Sequence, residues 1–293
     1  MRQLDPVDRI ARNPRLDRVS GAVRDAVKKM LPAGRVKDAL HGVWLGHPVH
    51  PPLAQAAVGC FTAAALLDVA GDRGRAPARL IRWGVLASLP AAVAGLADYA
   101  EGHEEQQRVG VVHAAANSTA LLGYLASLRL RATGKPGHGV ALGLLAFGCA
   151  GVGAMLGGDL AFRWAMGPNH AAEVPHAGPE EWCDLGRTEE FLGAGPVRRM
   201  AGLIPVLVVS DVDGVTVLHD RCSHMAAPLH QGEIGSVDGA ACVTCPWHGS
   251  VFRLTDGAVV RGPATAPQPA LDTKVEAGRL YAKVRTIPGV SAS

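Results

Sequence analysis

Two short runs in the C-terminal third of the sequence each place a cysteine close to a histidine. The first run is Cys222-Ser-His224 and the second is Cys245-Pro-Trp-His248. Thiolate sulfur and imidazole nitrogen are donors that proteins use to hold zinc and iron. Because each spacing lets both side chains of one tight turn point the same way, two facing loops could enclose a metal centre from both sides.

These donors suit two kinds of metal centre. Two cysteines and two histidines form a tetrahedral structural zinc site, and Cys242 adds a nearby Cys-x-x-Cys pair with Cys245. The same donors suit a two-iron cluster in which one iron takes both thiolates and the other takes both imidazoles. With two ferric ions and two sulfides such a cluster has no net charge, so it accepts an electron more easily than a cluster with four thiolates.

The residues around both runs resemble the ligand loops of Rieske [2Fe-2S] ferredoxin-like domains. The resemblance consists of residues 222–229 (CSHMAAPL) and 245–252 (CPWHGSVF) for the two ligand loops, and 262–265 (GPAT) for the proline loop. It extends over residues 184–287. It implies an antiparallel all-β domain that transfers single electrons through a [2Fe-2S] cluster bound by Cys222, His224, Cys245 and His248.

The sequence departs from the Rieske proteins of quinol-oxidising complexes at several positions. Ala227 and Trp247 stand where those proteins have two cysteines joined as a disulfide, so that bridge cannot form. Ser250 remains as a hydroxyl donor to a cluster sulfur, but Phe252 replaces a tyrosine donor. Because fewer hydrogen bonds stabilise the reduced state, we predict a reduction potential in the lower part of the range of roughly −150 to +300 mV.

Alternating apolar residues predict short strands around the ligand loops. Residues 203–210 and 215–219 flank an Asp-Val-Asp-Gly sequence typical of a hairpin turn. Further strands are expected at residues 239–244, 251–254, 258–260 and 273–284. Outside the ligand runs, we predict His219 and His230 at the surface and Cys242 packed within its strand.

Upstream of this domain, four stretches without charged residues predict transmembrane helices. They are residues 53–67, 83–97, 109–128 and 139–158. A helix needs about 20 mostly apolar residues to cross a bilayer, and the two shorter stretches reach that length if charges at their ends lie at the interface. A soluble bundle is the alternative, but such short connections would leave it almost no polar face.

The sequences GHPVHP before the first stretch and GVVHA in the third resemble a family of four-span bacterial membrane proteins of unsettled activity. The resemblance covers about residues 40–165 and implies a membrane location. An even number of spans gathers several histidines near one face. We expect that His47, His50 and His113 bind a haem iron or a quinone, because an imidazole can ligate iron or hydrogen-bond a ligand. Anchoring at the lipid headgroups is the alternative.

The composition therefore predicts a multi-domain chain, in which an all-α four-helix transmembrane bundle precedes an all-β antiparallel iron-sulfur domain. A net charge of +3 gives no signal for nucleic acid. Ten Arg or Lys residues lie within the first 37 positions and suit a solvated tail or a contact with the lipid bilayer. The expected divisions are a basic N-terminal tail (1–40), the four-span domain (41–166), a linker (167–183), the Rieske-type domain (184–287) and a C-terminal tail (288–293).

The leading hypothesis is a membrane-anchored carrier that transfers single electrons between unidentified donor and acceptor proteins or a membrane quinone. The alternative is a membrane oxidoreductase with haem or quinone in the bundle and the cluster as internal relay. A third hypothesis makes the cluster a redox sensor that gates the bundle. No catalytic residue is predicted. A complete Rieske oxygenase is not expected, because its mononuclear iron needs two histidines and a carboxylate, and no histidine follows His248.

Charge gives conflicting signals on orientation in the membrane. The basic N-terminal tail favours the cytoplasm for both termini, whereas the short loops on the opposite face also carry arginines such as Arg75 and Arg131. No export signal is visible in the sequence. We therefore expect the cluster domain in the cytoplasm.

Overall fold

The computed structural model describes residues 6–72, 74–211 and 214–285. The chain divides into two units. The helical unit comprises the chain up to Val36 together with Pro48–Met166. The β unit comprises Lys37–His47 together with the chain from Gly167 onward.

Short helices precede four long ones. The helices are α1 (Pro6–Ala11), α2 (Asp17–Met30), α3 (Arg35–His41), α4 (His50–Val69), α5 (Ala76–Tyr99), α6 (Glu104–Ala132) and α7 (Pro136–Gly158), and a π-helical turn follows at Asp159–Arg163. α4, α5 and α7 begin with a proline in the first turn, where its missing N–H loses no helical hydrogen bond. By length and composition, the last four helices could each cross a membrane. Each of the four predicted stretches lies within one of them, which confirms the predicted helical half.

α4 and α6 lie at opposite corners of a four-helix bundle. α4 packs on α5 and α7, and α6 packs on the same two helices. The inward side chains of α4 and α6 therefore meet along the bundle axis. Ala57 and Phe61 of α4 share one buried core with Ala120 and Tyr124 of α6.

The residues that meet on this axis occupy equivalent positions of an internal repeat. Asp68 of α4 and Arg131 of α6 form a bidentate ion pair and are 63 positions apart in the sequence. Phe61 and Tyr124 have the same separation, and their rings stack with centroids 4.0 Å apart. The hairpin of α4 and α5 is thus repeated as the hairpin of α6 and α7 about the bundle axis.

The N-terminal residues are helical and pack on the bundle, so the expected basic tail at 1–40 is wrong for the described part of that segment. Val7 is buried in a cluster with Val109 of α6. The Nε atom of Arg108 lies 2.6 Å from Oδ1 of Asp17. A high density of basic residues obscured the apolar side chains that one face of these helices buries.

The β unit is built of antiparallel strands that follow the short helix α8 (Val174–Ala177). The strands are β1 (Cys183–Arg187), β2 (Val197–Ala201), β3 (Ile204–Asp211), β4 (Gly214–His219), β5 (Glu233–Val237), β6 (Ala240–Thr244), β7 (Val251–Arg253), β8 (Val259–Arg261), β9 (Leu271–Glu276) and β10 (Arg279–Val284). They form three sheets with the orders β1-β10-β9, β2-β3-β4 and β5-β6-β7-β8. This confirms the predicted antiparallel all-β domain.

The predicted hairpin is β3 and β4, which pair from Val206 with His219 to Asp211 with Gly214. Its turn residues 212 and 213 lie outside the described residues. β1, β2 and β5 were not predicted. β2 contains two adjacent arginines, so its apolar residues do not alternate, and β5 exposes most of its side chains. Both strands form mainly through pairing with their neighbours and not through an apolar pattern of their own.

Residues 167–183 belong to the packed β unit, so the expected linker is wrong. Ala171 and Val174 are buried in the core that the first two sheets share. The backbone N–H of His170 donates to the carbonyl of Ser223 at 2.9 Å. The Pro and Gly residues that suggested a linker instead shape a turn that packs on the first ligand run.

Candidate metal centre

The two ligand runs lie in loops with the same backbone geometry. The first loop follows β4, and the second joins β6 to β7. In each loop the cysteine N–H donates to the carbonyl five residues later, from Cys222 to Ala227 at 2.9 Å and from Cys245 to Ser250 at 2.8 Å. Each cysteine carbonyl accepts from the amide four residues later, and that residue has a positive φ in both loops. Two equivalent turns therefore each present one cysteine and one histidine.

The thiols of Cys222 and Cys245 are buried and contact each other. The hydrogen bond between them raises the pKa of Cys222, and burial raises it further. The same bond lowers the pKa of Cys245 to about 7. One sulfur of the pair therefore ionises readily while the other keeps its proton, and a bound cation would favour both as thiolates.

The imidazoles of His224 and His248, one from each loop, lie next to each other. Their ring centroids are 5.0 Å apart and their planes are nearly perpendicular, at 88°. The Nδ1 atoms of both rings are buried, whereas both residues are partly exposed. The imidazoles therefore form the outer side of the site and the thiols form its inner side.

This arrangement fits a two-iron cluster better than a zinc ion. Among the residues that the structure describes, no three His, Cys, Asp or Glu side chains converge on a point that could hold one metal ion. Structural zinc needs four such donors around it. Each iron of a cluster with two thiolate and two imidazole ligands needs only two protein donors, which matches a thiol pair beside an imidazole pair.

A buried glutamine holds the backbone of the first ligand loop. Gln268 is fully buried, and its Oε1 accepts from the N–H of Ser223 at 2.9 Å. Its Nε2 donates to the carbonyls of His219 at 2.6 Å and Arg221 at 2.7 Å. The sequence analysis missed Gln268, because no local motif links it to a loop 45 positions earlier.

The residues that stand in place of the disulfide cysteines and of the tyrosine donor differ in burial. Ala227 is fully buried, Trp247 is exposed, and the described cysteines form no disulfide. The Oγ atom of Ser250 accepts from the N–H of Ala264 at 3.0 Å, so its own proton remains available to a second acceptor. Phe252 is buried in the same core as both ligand-run cysteines.

Residues 37–47 pack on the proline loop within the β unit. Oδ1 of Asp38 accepts from the N–H of Gly262 at 3.0 Å, and Oδ2 lies 3.4 Å from Nη1 of Arg261. His47 ends this segment and belongs to the β unit. The start of the four-span domain expected at residue 41 thus differs from the packing of the chain, which returns to the helical unit at Pro48.

The polar residues near the ligand runs differ in burial. His219 is buried at the end of β4, so its predicted surface position is wrong, and burial lowers its pKa. His230 is partly exposed, and its backbone N–H and ring Nδ1 each lie 2.8 Å from an oxygen of the buried Asp220 carboxylate. Cys242 is packed in β6, as predicted.

Comparison with known proteins identifies the β unit. Residues 181–285 match the family described as Rieske [2Fe-2S] domain. The chain is 34% identical over 104 residues to the anthranilate 1,2-dioxygenase ferredoxin subunit of Burkholderia cepacia, which covers 36% of this chain and 93% of that protein. The chain belongs to the Rieske [2Fe-2S] family. Its Rieske domain implies a [2Fe-2S] cluster, as the resemblance of the ligand loops predicted.

Two solved Rieske structures are also similar to this part of the chain. The ferredoxin of carbazole 1,9a-dioxygenase from Nocardioides aromaticivorans IC177 is 23% identical, covers 36% of this chain and 98% of that chain, and has a TM-score of 0.33. The cyanobacterial plasma membrane Rieske protein from Synechocystis PCC 6803 is 22% identical, covers 34% of this chain and 98% of that chain, and has a TM-score of 0.29.

The helical half matches a second family. Residues 46–169 match the family described as Predicted membrane protein (DUF2231). Together with four helices of membrane-spanning length, this match identifies the Rieske protein as a membrane protein. The resemblance drawn from the histidine-containing sequences of this half is confirmed.

Two of the three histidines expected to bind haem or quinone lie together in the helical unit. The ring centroids of His50 and His113 are 6.5 Å apart, with their planes at 79°. His50 is on α4 and His113 is on α6, the helices whose side chains meet on the bundle axis. His47, the third, is in the other unit.

Proposed function

We propose that this protein is a membrane-anchored Rieske electron carrier that transfers single electrons between a donor and an acceptor protein. Cys222 and Cys245 would bind one iron of the cluster, and His224 and His248 would bind the other. The observation that carries this proposal is the pair of equivalent loops, which presents two contacting thiols beside two adjacent imidazoles. The bound cluster supplies a centre that gains and loses one electron.

The surrounding residues favour electron exchange on the imidazole side. The thiols lie in an apolar core with Phe252, which excludes water from that side. His224 and His248 are partly exposed, and the ring of Trp247 lies 6.3 Å from that of His248 by centroids. Trp247 is 51% exposed, so a docking partner would meet the Trp247 and His248 side chains first.

The four long helices would anchor the carrier in the membrane, with the Rieske domain in the cytoplasm. The ferredoxin of Burkholderia cepacia named above is a subunit of a dioxygenase. A reductase that donates electrons and an oxygenase or similar enzyme that accepts them are therefore the proposed partner classes. A C-terminal reporter that is active only in the cytoplasm tests the orientation, and activity of an export-dependent reporter at that position would contradict it.

Low-temperature EPR of the dithionite-reduced full chain in detergent tests the ligand assignment. We expect the rhombic signal with low average g that a histidine-ligated two-iron centre gives. Cys222→Ser, Cys245→Ser, His224→Ala and His248→Ala should each abolish it. Cys183→Ser and His176→Ala are matched controls in the same unit, and both should keep it.

Metal content separates the outcomes. Two irons and two acid-labile sulfides per chain support the proposal. A silent sample that contains zinc in place of iron would contradict it. A full signal in any of the four ligand variants would overturn the assignment of that residue.

A further inference from the structure

Two histidines in the helical unit are held in equivalent ways by the two halves of the repeat. Nδ1 of His50 lies 2.8 Å from the carbonyl oxygen of Ala91 on α5. Nδ1 of His113 lies 2.8 Å from the carbonyl oxygen of Gly153 on α7. The two histidines have the same separation in sequence as the axial ion pair, 63 positions. They are therefore equivalent residues that face each other across the bundle axis.

Each ring also rests on a glycine one helical turn beyond its carbonyl partner. A Cβ atom on Gly95 would lie 2.8 Å from the His50 ring, and a Cβ atom on Gly157 would lie 3.0 Å from the His113 ring. A larger residue at either position would push the ring out of place. Each half of the repeat therefore holds its imidazole in the same way, by a hydrogen bond to a backbone carbonyl and by packing on a glycine.

The carbonyl contacts decide which ring nitrogen is available. A carbonyl oxygen only accepts, so Nδ1 of each ring carries the proton and Nε2 carries the lone pair. Histidines that bind metals through Nε2 are commonly fixed in this way, by a bond from Nδ1–H to a backbone carbonyl. The side-chain amide of Asn117 lies 3.2 Å from Nε2 of His113 and also donates to the His113 carbonyl at 3.0 Å. When Nε2 of His113 binds a metal, the Asn117 amide can keep its hydrogen bond to the His113 carbonyl and give up its contact with Nε2.

The spacing of the rings suits one metal between them. Two imidazoles bound at about 2.0–2.1 Å on opposite sides of a metal place their ligating nitrogens about 4 Å apart. The centroids of His50 and His113 are 6.5 Å apart, a separation that allows one nitrogen of each ring to bind the same metal. The ring planes, at 79° to each other, can both contain the line that joins the two nitrogens through the metal.

We propose that His50 and His113 are the axial ligands of a haem iron in the helical unit. Two imidazoles complete a metal that already has four ring nitrogens from the haem. A bare ion would need further protein donors, and among the described residues no third His, Cys, Asp or Glu side chain joins this pair. A quinol could donate its hydroxyls to the same two nitrogens, but it would give none of the optical bands of a haem.

Two side-chain pairs occupy the bundle axis beyond the histidines, so the site lies near one end. Phe61 follows His50 by eleven residues, which is about 16 Å along a helix. The stacked rings of Phe61 and Tyr124 fill the space between α4 and α6 at that level. The Asp68–Arg131 ion pair lies further along the same helices. A haem at the histidine level would therefore be near one membrane surface. It would give this protein a second one-electron centre, which goes beyond the proposed Rieske carrier.

The test uses the full chain, produced in cells supplied with a haem precursor and purified in detergent. We expect about one haem per chain by the pyridine haemochromogen method, and reduced optical bands of a six-coordinate low-spin haem. His50→Ala and His113→Ala should each lose these bands while they keep the EPR signal of the Rieske cluster. His138→Ala, an exposed histidine in the first turn of α7, is the matched control and should keep both.

Rescue distinguishes a ligand from a residue that only supports the fold. In a His113→Gly variant, added imidazole should restore the low-spin bands, because the free ligand can occupy the vacated position. Low-spin bands retained in both alanine variants would overturn the assignment. A wild-type chain with a complete Rieske signal that neither contains haem nor binds added haemin would overturn the proposal and leave the Rieske carrier intact. Haem without a Rieske signal would contradict the carrier and not this inference.

Discussion

At the scale of single residues, hydrogen bonds to the cluster sulfurs are expected to tune the reduction potential of the Rieske centre. Phe252 lies in the core beside the ligand-run cysteines and cannot donate. In Phe252→Tyr, we expect the new hydroxyl to donate to a sulfur and stabilise the reduced state by about 0.5–1.5 kcal/mol. For one electron this raises the reduction potential by about 20–65 mV. An EPR-monitored redox titration measures the shift.

Phe252→Leu is the control, because it changes the packing without adding a donor and should leave the potential nearly unchanged. Ser250→Ala should shift the potential in the opposite direction, since it removes a hydroxyl whose proton is free to reach a cluster sulfur. An unchanged potential in Phe252→Tyr with an intact EPR signal would show that the added hydroxyl does not reach the cluster.

His219 makes the stability of the Rieske domain depend on pH. Burial lowers its pKa below the ordinary value of 6.5, so the unfolded chain binds more protons than the folded chain just below that pH. The stability is complete above pH 6.5 and is lost as the pH falls to the folded pKa. The loss is up to about 1.4 kcal/mol per pH unit in that window.

Thermal loss of cluster absorption measures this effect in the full chain. Between about pH 7.5 and 5.5, which brackets the ordinary histidine pKa, the melting temperature should fall more steeply for the wild type than for His219→Leu. Other titrating groups contribute equally to both proteins, so the difference isolates His219. Parallel pH profiles would contradict a neutral buried His219.

At the scale of elements, the first ligand loop depends on the segment that follows the proline loop. Gln268→Leu would leave the Ser223 N–H and two carbonyls of the loop without the amide that satisfies them. We expect a loss of at least about 1–3 kcal/mol of stability, the cost of an unsatisfied buried polar group. The melting temperature and the iron content per chain both report this loss.

Gln231→Leu is the matched control, because Gln231 is an exposed glutamine that borders the same loop. It should leave the melting temperature and the iron content near the wild-type values. Equal effects of the two substitutions would show that the amide of Gln268 does not support the loop.

At the scale of the whole molecule, the internal repeat places Asp68 and Arg131 at equivalent positions of the two halves. The two residues of this ion pair should therefore be exchangeable. The Asp68 side chain is 2% exposed and the Arg131 side chain is 10% exposed. Asp68→Leu leaves the buried Arg131 charge without the Asp68 carboxylate, and Arg131→Leu removes the bidentate ion pair of the buried Asp68 carboxylate. Each substitution alone should cost about 3–5 kcal/mol. The exchanged pair, Asp68→Arg with Arg131→Asp, should recover most of that loss.

Recovery should be incomplete, because Arg131 also donates to Ser127 at 3.2 Å, and the equivalent residue on α4 is Ala64. Thermal unfolding of the helical unit in detergent, followed by circular dichroism, measures all four proteins. An exchanged pair as unstable as the single variants would argue against the equivalence of the two halves.

The sequence by itself determined those features that depend on residues close together in the chain. The spacing in each ligand run selected Cys222, His224, Cys245 and His248 as candidates, and the length of the charge-free stretches indicated the four membrane-length helices. Both depend on local geometry: a tight turn brings its own side chains together, and a helix has a fixed rise per residue. Local patterns were enough for the fold class and the family.

Only the tertiary structure decided which distant residues meet. The three backbone contacts of Gln268, the contact of Asp38 with Gly262 and the pairing of His50 with His113 all join positions far apart in the sequence. The N-terminal helices were missed for the same reason, since their charged outer face is visible in the sequence and the surface that they cover is not. Such contacts depend on how whole elements pack, and no local spacing or periodicity records that packing.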